Sequence, residues 1–301
     1  MRPSTQSPIA IAEVVEPVPE RAASVWRDAV RRYRRNRLAV AGLIVVLAII
    51  ALAAGANLIA PQGYNTFNGS DANQFPSWSH IFGTDDRGRD EVAMVLFGAR
   101  TALTVGFVTA LTSIIIGVSL GALAGLRGAA FDFMVMRVVD IMAAFPQVLF
   151  ALFIIAAIGS GLFNVIVAIA LLNWVTLCRL TRAQFLTLRD LEFVEAARAL
   201  GVGRWSITVR HLLPNAIGPL LVTVAVGIPI AIFTEAGLGF LGLGIDPTTP
   251  DWGTMIANAR ENISYYWHLA LFPALALSVT MLAFNFVGDG LRDALDPRDK
   301  R

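Results

Sequence analysis

The sequence predicts an all-α polytopic membrane protein with six transmembrane helices, and three observations carry that expectation. Of 301 residues, 56% are hydrophobic before the 25 glycines are counted, and only 15% are charged. An average soluble domain is roughly 45–50% apolar with glycine included and about 25% charged. The apolar residues are also clustered: Leu38 to Ala60, Thr101 to Leu126, Ile141 to Cys178, Leu212 to Thr234 and Leu269 to Gly288 carry no charge, and about 20 such residues suffice to cross a bilayer as a helix. Lastly, the arginines fall in alternate loops, which sets an orientation.

Residues 1–23 hold Pro3, Pro8, Pro17 and Pro19 and few large apolar side chains, and are expected to be a disordered cytoplasmic tail. In 24–37, Trp26, Val30 and Tyr33 recur at i, i+4, i+7 among Arg27, Arg31, Arg32, Arg34, Arg35 and Arg37, the pattern of an interfacial amphipathic helix lying on membrane lipid. A twin-arginine signal with a cleavage site in Ala51 to Ala56 is the competing reading; the basic region is too long for it and further spans follow. The first span is placed at 38–60 and an extracytoplasmic segment at 61–100. The 38 uncharged residues from 141 to 178 are too many for one helix, and Gly159-Ser160-Gly161 offers a turn that divides them. The remaining spans are then about 101–125, 141–158, 162–178, 213–234 and 267–288, followed by a cytoplasmic tail at 291–301.

With the N-terminus inside, the cytoplasmic segments hold twenty Lys and Arg residues and the external ones four (Arg87, Arg89, Arg100, Arg260). That imbalance predicts both termini in the cytoplasm. The two long external segments, 61–100 and 235–266, are acidic, with Asp71, Asp85, Asp86, Asp90, Glu91, Glu235, Asp246, Asp251 and Glu261. No ionisable side chain falls near mid-span, since Asp140, Glu235 and Asp289 lie at span edges. A proton-coupled carrier usually places such a group at depth, so this pattern argues against one.

Several chemistries are excluded by count. The single lysine, Lys300, follows no G-x-x-x-x-G, so the chain has no phosphate loop of its own. Cys178 stands alone and His80, His211 and His268 are scattered, so no metal site is expected. Gly237-Leu238-Gly239-Phe240-Leu241-Gly242 spells the dinucleotide fingerprint, but it follows a membrane span where the fingerprint needs a strand. These glycines, with Gly244, read instead as close packing at the outer membrane edge. Gly117, Gly121 and Gly125 recur every four residues and form a small face for close helix approach.

Between spans four and five, residues 191–213 show two short stripes, Phe193, Ala197, Leu200 and Trp205, Val209, Leu212, broken at Gly201-Val202-Gly203 and ended at Pro214. The segment is expected to be a helix, a glycine turn and a second helix. Its tether to spans at both ends leaves no room for a groove-reading domain, so nucleic acid is not an expected partner.

Glu195-Ala196-Ala197, three residues, Gly201, then Leu213-Pro214 resembles the E-A-A-x3-G-x9-I-x-L-P signature of permease subunits of bacterial ABC importers. His211 replaces the isoleucine, a departure that is similar to the dipeptide/oligopeptide/nickel branch, and Asn215 continues it. Three further stretches resemble the C-type subunit of that branch: Phe82-Gly83-Thr84-Asp85 with Gly88-Arg89-Asp90 and Gly98-Ala99-Arg100; Glu235 to Pro250 with Trp252-Gly253; and Gly288 to Pro297. The resemblance spans roughly 26–298.

It implies the type I importer (MetI-like) membrane fold, with 101–290 as permease core, and a role as transmembrane subunit of an ATP-driven di- or oligopeptide importer. It also implies a homologous B-type second permease subunit, two ATPase modules carrying the ATP and Mg, and an extracytoplasmic substrate-binding protein. The chain itself would hold no cofactor and be no enzyme. Glu195, Ala196, Ala197, Gly201, Arg204, His211, Leu213 and Pro214 are the implied ATPase-coupling residues. Asp85, Gly88, Arg89, Asp90, Glu235, Gly239, Gly242, Pro250, Asp251 and Trp252 are the implied external gate or binding-protein contact. Gln147, Asn164, Asn173, Trp174, Thr223 and Asn285 are the span residues able to line a passage or to bond another helix. Import of another small solute (a nickel chelate, glutathione or a haem precursor), a self-sufficient channel or carrier, and a membrane-embedded enzyme remain as alternatives.

Overall fold

A computed structural model describes residues 25–246 and 248–295, so the expected N-terminal tail, Pro247 and the last six residues lie outside it. Helix α1 (Val25–Arg35) ends on Arg32, Arg34 and Arg35, cations placed favourably against a helix C-terminus. Asn36 then starts α2 (Arg37–Ala54), its side chain accepting hydrogen bonds from the Leu38 and Ala39 amides. A single further turn, Ala56–Ile59, completes the first span. The first and last helices meet closely: a Cβ on Gly290 would lie 3.1 Å from Tyr33 Cε2, and one on Gly42 would lie 2.8 Å from the Ala283 carbonyl oxygen.

The second span, α3 (Glu91–Arg127), is 37 residues long, beginning ten residues before the charge-free run that predicted it. Asp90 caps it by accepting from the Val92 and Ala93 amides, and Glu91 and Arg100 are carried on its first turns. A π turn, Ile114–Val118, lies within it. The expected third span at 141–158 is corrected to two helices, α4 (Ala129–Ala144) and α5 (Gln147–Ile158), bent by 89°. The cause is Pro146, which has no amide to donate and forces its predecessor out of helical geometry; Phe145 is extended, φ −93° and ψ 137°.

Gly159 and Gly161 take positive φ, 93° and 141°, and make the turn expected of them. Helix α6 (Leu162–Leu188) follows, ten residues longer than its expected span. Next come α7 (Glu192–Ala199), α8 (Arg204–Phe240), α9 (Trp252–Ala259) and α10 (His268–Leu295). Pro214 does not end the second coupling helix, which runs on unbroken into the fifth span. The π turn Thr208–Leu212 immediately before Pro214 shifts the hydrogen-bond register where the proline supplies no amide.

Among the described residues, five helices are long and apolar enough to cross a membrane, and the bent pair makes a sixth crossing if taken as one. One buried cluster joins α2, α3, α8, α9 and α10 around Val46, Ile232, Trp252 and Phe284. A second joins α3, α5, α6 and α8 around Val105, Ile155, Ile169 and Leu238. The face of Gly117, Gly121 and Gly125 packs on α6, where added Cβ atoms would lie 2.5–2.9 Å from Trp174 to Phe185.

Candidate functional sites at the two ends and centre of the bundle

Gly98, near the start of α3, packs under the Trp252 indole, whereas Gly125, near its end, packs on Phe185. At 1.5 Å per residue these contacts lie roughly 40 Å apart, so the bundle has two separate ends, one bearing residues 61–90 and 241–267 and the other residues 189–203.

At the second end, α7 closes with a Schellman turn. The Gly201 amide donates to the Arg198 carbonyl and the Val202 amide to the Ala197 carbonyl, at 2.9 and 3.0 Å, with Gly201 at φ +76°, the left-handed position glycine fills without strain. Val194, Ala197, Ile207 and Leu212 are buried against Phe185, Ala216 and Leu220. The two expected apolar stripes are therefore corrected. Val194 and Ala197 face inward on α7, and Leu200 and Trp205 are 84% and 77% exposed. Phe193 and Val209 are exposed too. Glu195, Ala196, Arg204 and Pro214 are exposed, and the His211 ring lies 6.4 Å from that of Phe193. Leu213, inside α8, packs beside this cluster.

At the first end, Asp85, Gly88, Arg89 and Asp90 form a self-contained turn. Asp85 accepts from the amides of Arg87 and Arg89 and, at 2.6 Å, from Arg89 Nε. Gly88 stands at φ +71° with the Asn68 carbonyl where a Cβ would be. Asp90 caps α3 with one oxygen and pairs with His80 Nδ1 at 2.9 Å through the other. In the second stretch, Gly237 and Gly239 lie inside α8 rather than in a turn, and Gly242 alone, at φ +79°, makes the Schellman turn that ends it.

Asp251 caps α9 by accepting from the Gly253 and Thr254 amides. Burial holds its carboxyl above the usual carboxylate range, against the pull of these hydrogen bonds. Its oxygens lie 2.6 and 2.7 Å from where a Gly239 Cβ would be. Trp252 is 2% exposed, with Nε1 donating to the Val95 carbonyl at 3.1 Å. Glu235 and Pro250 are buried as well. Asp251, Trp252, Glu235 and Pro250 are thus buried in the packing of this end.

Between the ends, a cavity of about 560 Å³ is lined by Gln147, Asn173 and Thr223, with Ser113, Thr176, Arg179 and Arg292. Gln147 Nε2 donates to Asn173 Oδ1 at 2.6 Å, which joins the helix after the bend to α6. The other three candidates do not reach this cavity: Asn164 donates to the Ile158 and Gly159 carbonyls, Trp174 is buried in a core cluster, and Asn285 is exposed on α10. Arg179 and Arg292 lay outside the charge-free runs, which is why the sequence did not offer them. Two ion pairs, Arg182 with Asp132 and Arg179 with Asp140, fasten α4 to α6 below the bend.

Residues 117–301 match the family described as binding-protein-dependent transport system inner membrane component, and residues 24–76 match the N-terminal TM domain of oligopeptide transport permease C. The dipeptide transport system permease protein DppC of Alkalihalophilus pseudofirmus is 40% identical over the whole of both chains. The oligopeptide transport system permease protein OppC of Bacillus subtilis is 40% identical, covering 94% of this chain and 93% of its own. The glutathione transport system permease protein GsiD of Pectobacterium atrosepticum is 41% identical over 91% and 92%. A chain of the MetNI methionine ABC transporter, solved in inward-facing conformations, superposes with a TM-score of 0.55 at 20% identity, covering 67% of this chain and 96% of its own. The two-ended helical bundle, with its glycine-closed helix at one end, is thus the fold of an ABC importer permease, and the chain belongs to the family of binding-protein-dependent transport system inner membrane components.

Proposed function

We propose that the chain forms half of the translocation pathway of an ATP-driven importer of di- or oligopeptides, with residues 191–213 coupling it to ATPase subunits. The observation that carries this reading is the continuity of α8. One helix holds Trp205 exposed at one end of the bundle and Thr223 and Gly227 on the wall of the central cavity. A push on the exposed face of Trp205 is therefore delivered to that wall along one helix, and Leu200, at the end of α7, is joined to it only through the Gly201–Gly203 turn. Exposed apolar side chains of this size mark a protein contact when they cluster, and a cleft on an ATPase is the occupant that the relatives' membership of ABC transport systems supports.

In this reading the residues 189–203 end is cytoplasmic, as are both termini, and the end bearing 61–90 and 241–267 faces the binding protein. ATP and Mg belong to the ATPase subunits, and a second, homologous permease closes the other half of the pathway. The names of the relatives favour peptides, glutathione among them, and the Gln147–Asn173 amide pair on the cavity wall offers both donors and acceptors to a peptide bond.

The test is purification of the tagged full-length chain from its native membrane and reconstitution with the proteins that accompany it. ATP-dependent uptake of a labelled dipeptide that requires the binding protein is the expected result. A chain that purifies alone and passes solute without ATP is a channel and ends this reading.

A further inference from the structure

We propose that the polar cavity at the end bearing residues 61–90 is a receptor for one organic cation, an ammonium or guanidinium group, with the Glu91 carboxylate as its counter-charge. The cavity measures about 510 Å³ and lies between the turn before α3, the loop after α8, and α9. Asp86, Glu91, Asp251 and Glu261 line it, with Arg87 as the opposing charge; Asp85 and Arg89 also line it but neutralise each other at 2.6 Å.

Glu91 is the residue that asks for a ligand. It is 3% exposed, and its Oε1 has no hydrogen-bond partner among the described residues. Burying a carboxyl group without a partner is costly and favours its neutral form; a cation held against it draws the proton off to solvent and restores the charge, and the structure offers no other local reason for the burial. An acid in the first turn of a helix answers the helix dipole, but Asp90 already caps the same amides of α3. The other carboxylate deep in the cavity, Asp251, is occupied with capping α9. Glu91 is therefore the acceptor left open on the wall, and Asp86 and Glu261, both exposed, supply negative potential around it.

A metal ion does not fit, because no group of three or more His, Cys, Asp or Glu residues able to hold one occurs among the described residues. A single carboxylate in a roomy, acidic cavity suits a larger, monovalent cation with several N–H donors. Met255, Tyr266 and Leu269 line the same space and offer apolar surface to the stem that carries the charge. Two carriers share this chemistry, a lysine or arginine of the binding protein and the terminal ammonium of a peptide substrate. Which of them uses the site rests on the proposed import role; the site itself does not.

Agmatine, which carries both a guanidinium and an ammonium group, is the probe. Titrated into the purified complex without binding protein, it should bind saturably, and Glu91→Gln should weaken binding by about tenfold or more, the effect of losing one charge-assisted hydrogen bond. If Glu91→Gln lowers the yield of folded complex, Asp86→Asn with Glu261→Gln on the exposed rim should still weaken binding several-fold. Agmatine that suppresses stimulation of ATP hydrolysis by the binding protein identifies a side chain of that protein as the natural cation. Agmatine that spares stimulation and competes with dipeptide uptake identifies the substrate ammonium. Absence of saturable binding, or equal binding by wild type and Glu91→Gln, overturns the proposal. Either result leaves ATP-dependent uptake intact, whereas a complex that binds agmatine and transports nothing would sink the import reading alone.

Discussion

Gly121 of α3 lies directly on the backbone of Cys178 in α6: a Cβ there would stand 2.5 Å from the Cys178 carbonyl oxygen and 2.7 Å from Thr181 Cβ. Backbone cannot yield as a flexible side chain can, so even alanine at this position forces the helices apart. Gly121→Ala is expected to destabilise the solubilised chain by about 1–3 kcal/mol, the usual cost of overpacking. Gly237→Ala, where an added Cβ meets nothing within 4 Å, should be neutral or slightly stabilising, as alanine is the better helix former. Melting temperatures of the two variants check the contrast, and equal losses would mean that the glycine face is not the contact.

Much of this packing was legible beforehand, and the reasons differ by element. The i, i+4, i+8 glycines and the Gly159-Ser160-Gly161 turn are local signals, and both stand where they were expected. The bend at Phe145 and Pro146 was also written locally, in a proline, but the charge-free run around it concealed the break. The start of α3 was missed because Glu91 and Arg100 lie inside the helix but upstream of the charge-free run. Trp252 was offered by the family resemblance as an external gate or binding-protein contact, which carries no information on burial. Its burial depends on Gly98, far away in sequence, which leaves room for the indole. On α7, eight residues are too few for periodicity alone to choose between Val194 and Phe193 as the inward side chain; Phe185 of α6 makes that choice.

The burial of Trp252 changes what its substitution reports. Trp252→Ala should lower stability by about 3–5 kcal/mol, and Asp251→Ala by about 0.5–2 kcal/mol through loss of the α9 cap. Trp252→Phe, which keeps most of the packing and loses the bond to Val95, should cost about 1 kcal/mol. Thermal unfolding of the assembled complex measures all three. A stable Trp252→Ala complex would contradict this packing role.

Arg182 makes a two-pronged pair with Asp132, Nε and Nη2 each reaching one carboxylate oxygen. Lysine cannot reproduce that fork, so Arg182→Lys and Arg182→Gln should both loosen α4 from α6. The expected loss is about 1.5–3 kcal/mol, the range for hydrogen bonds to charged groups. Exchange of the two residues, Asp132→Arg with Arg182→Asp, should recover part of it. No recovery, with equal loss in all three variants, would show that packing at these positions outweighs the pair.

Orientation is open to a labelling experiment. With Cys178 replaced by alanine, a cysteine at exposed Ser70 or half-buried Thr249 should react with an impermeant maleimide in intact cells, and one at exposed Thr187 only after permeabilisation. The reverse pattern would invert the proposed topology.

The coupling role of residues 191–213 is tested most directly at Gly201. A Cβ there meets nothing within 4 Å, so a substitution acts only through the backbone, which stands at φ +76°. Valine in that conformation costs about 1–2 kcal/mol and favours a different angle between α7 and α8, whereas asparagine tolerates it. Uptake and binding-protein-stimulated ATP hydrolysis are measured in reconstituted vesicles, with the amount of retained ATPase as the control for assembly. Gly201→Val should abolish coupled uptake with the bundle still folded, and Gly201→Asn should retain most of it. Normal coupled transport by Gly201→Val would contradict the account and leave this segment a surface turn.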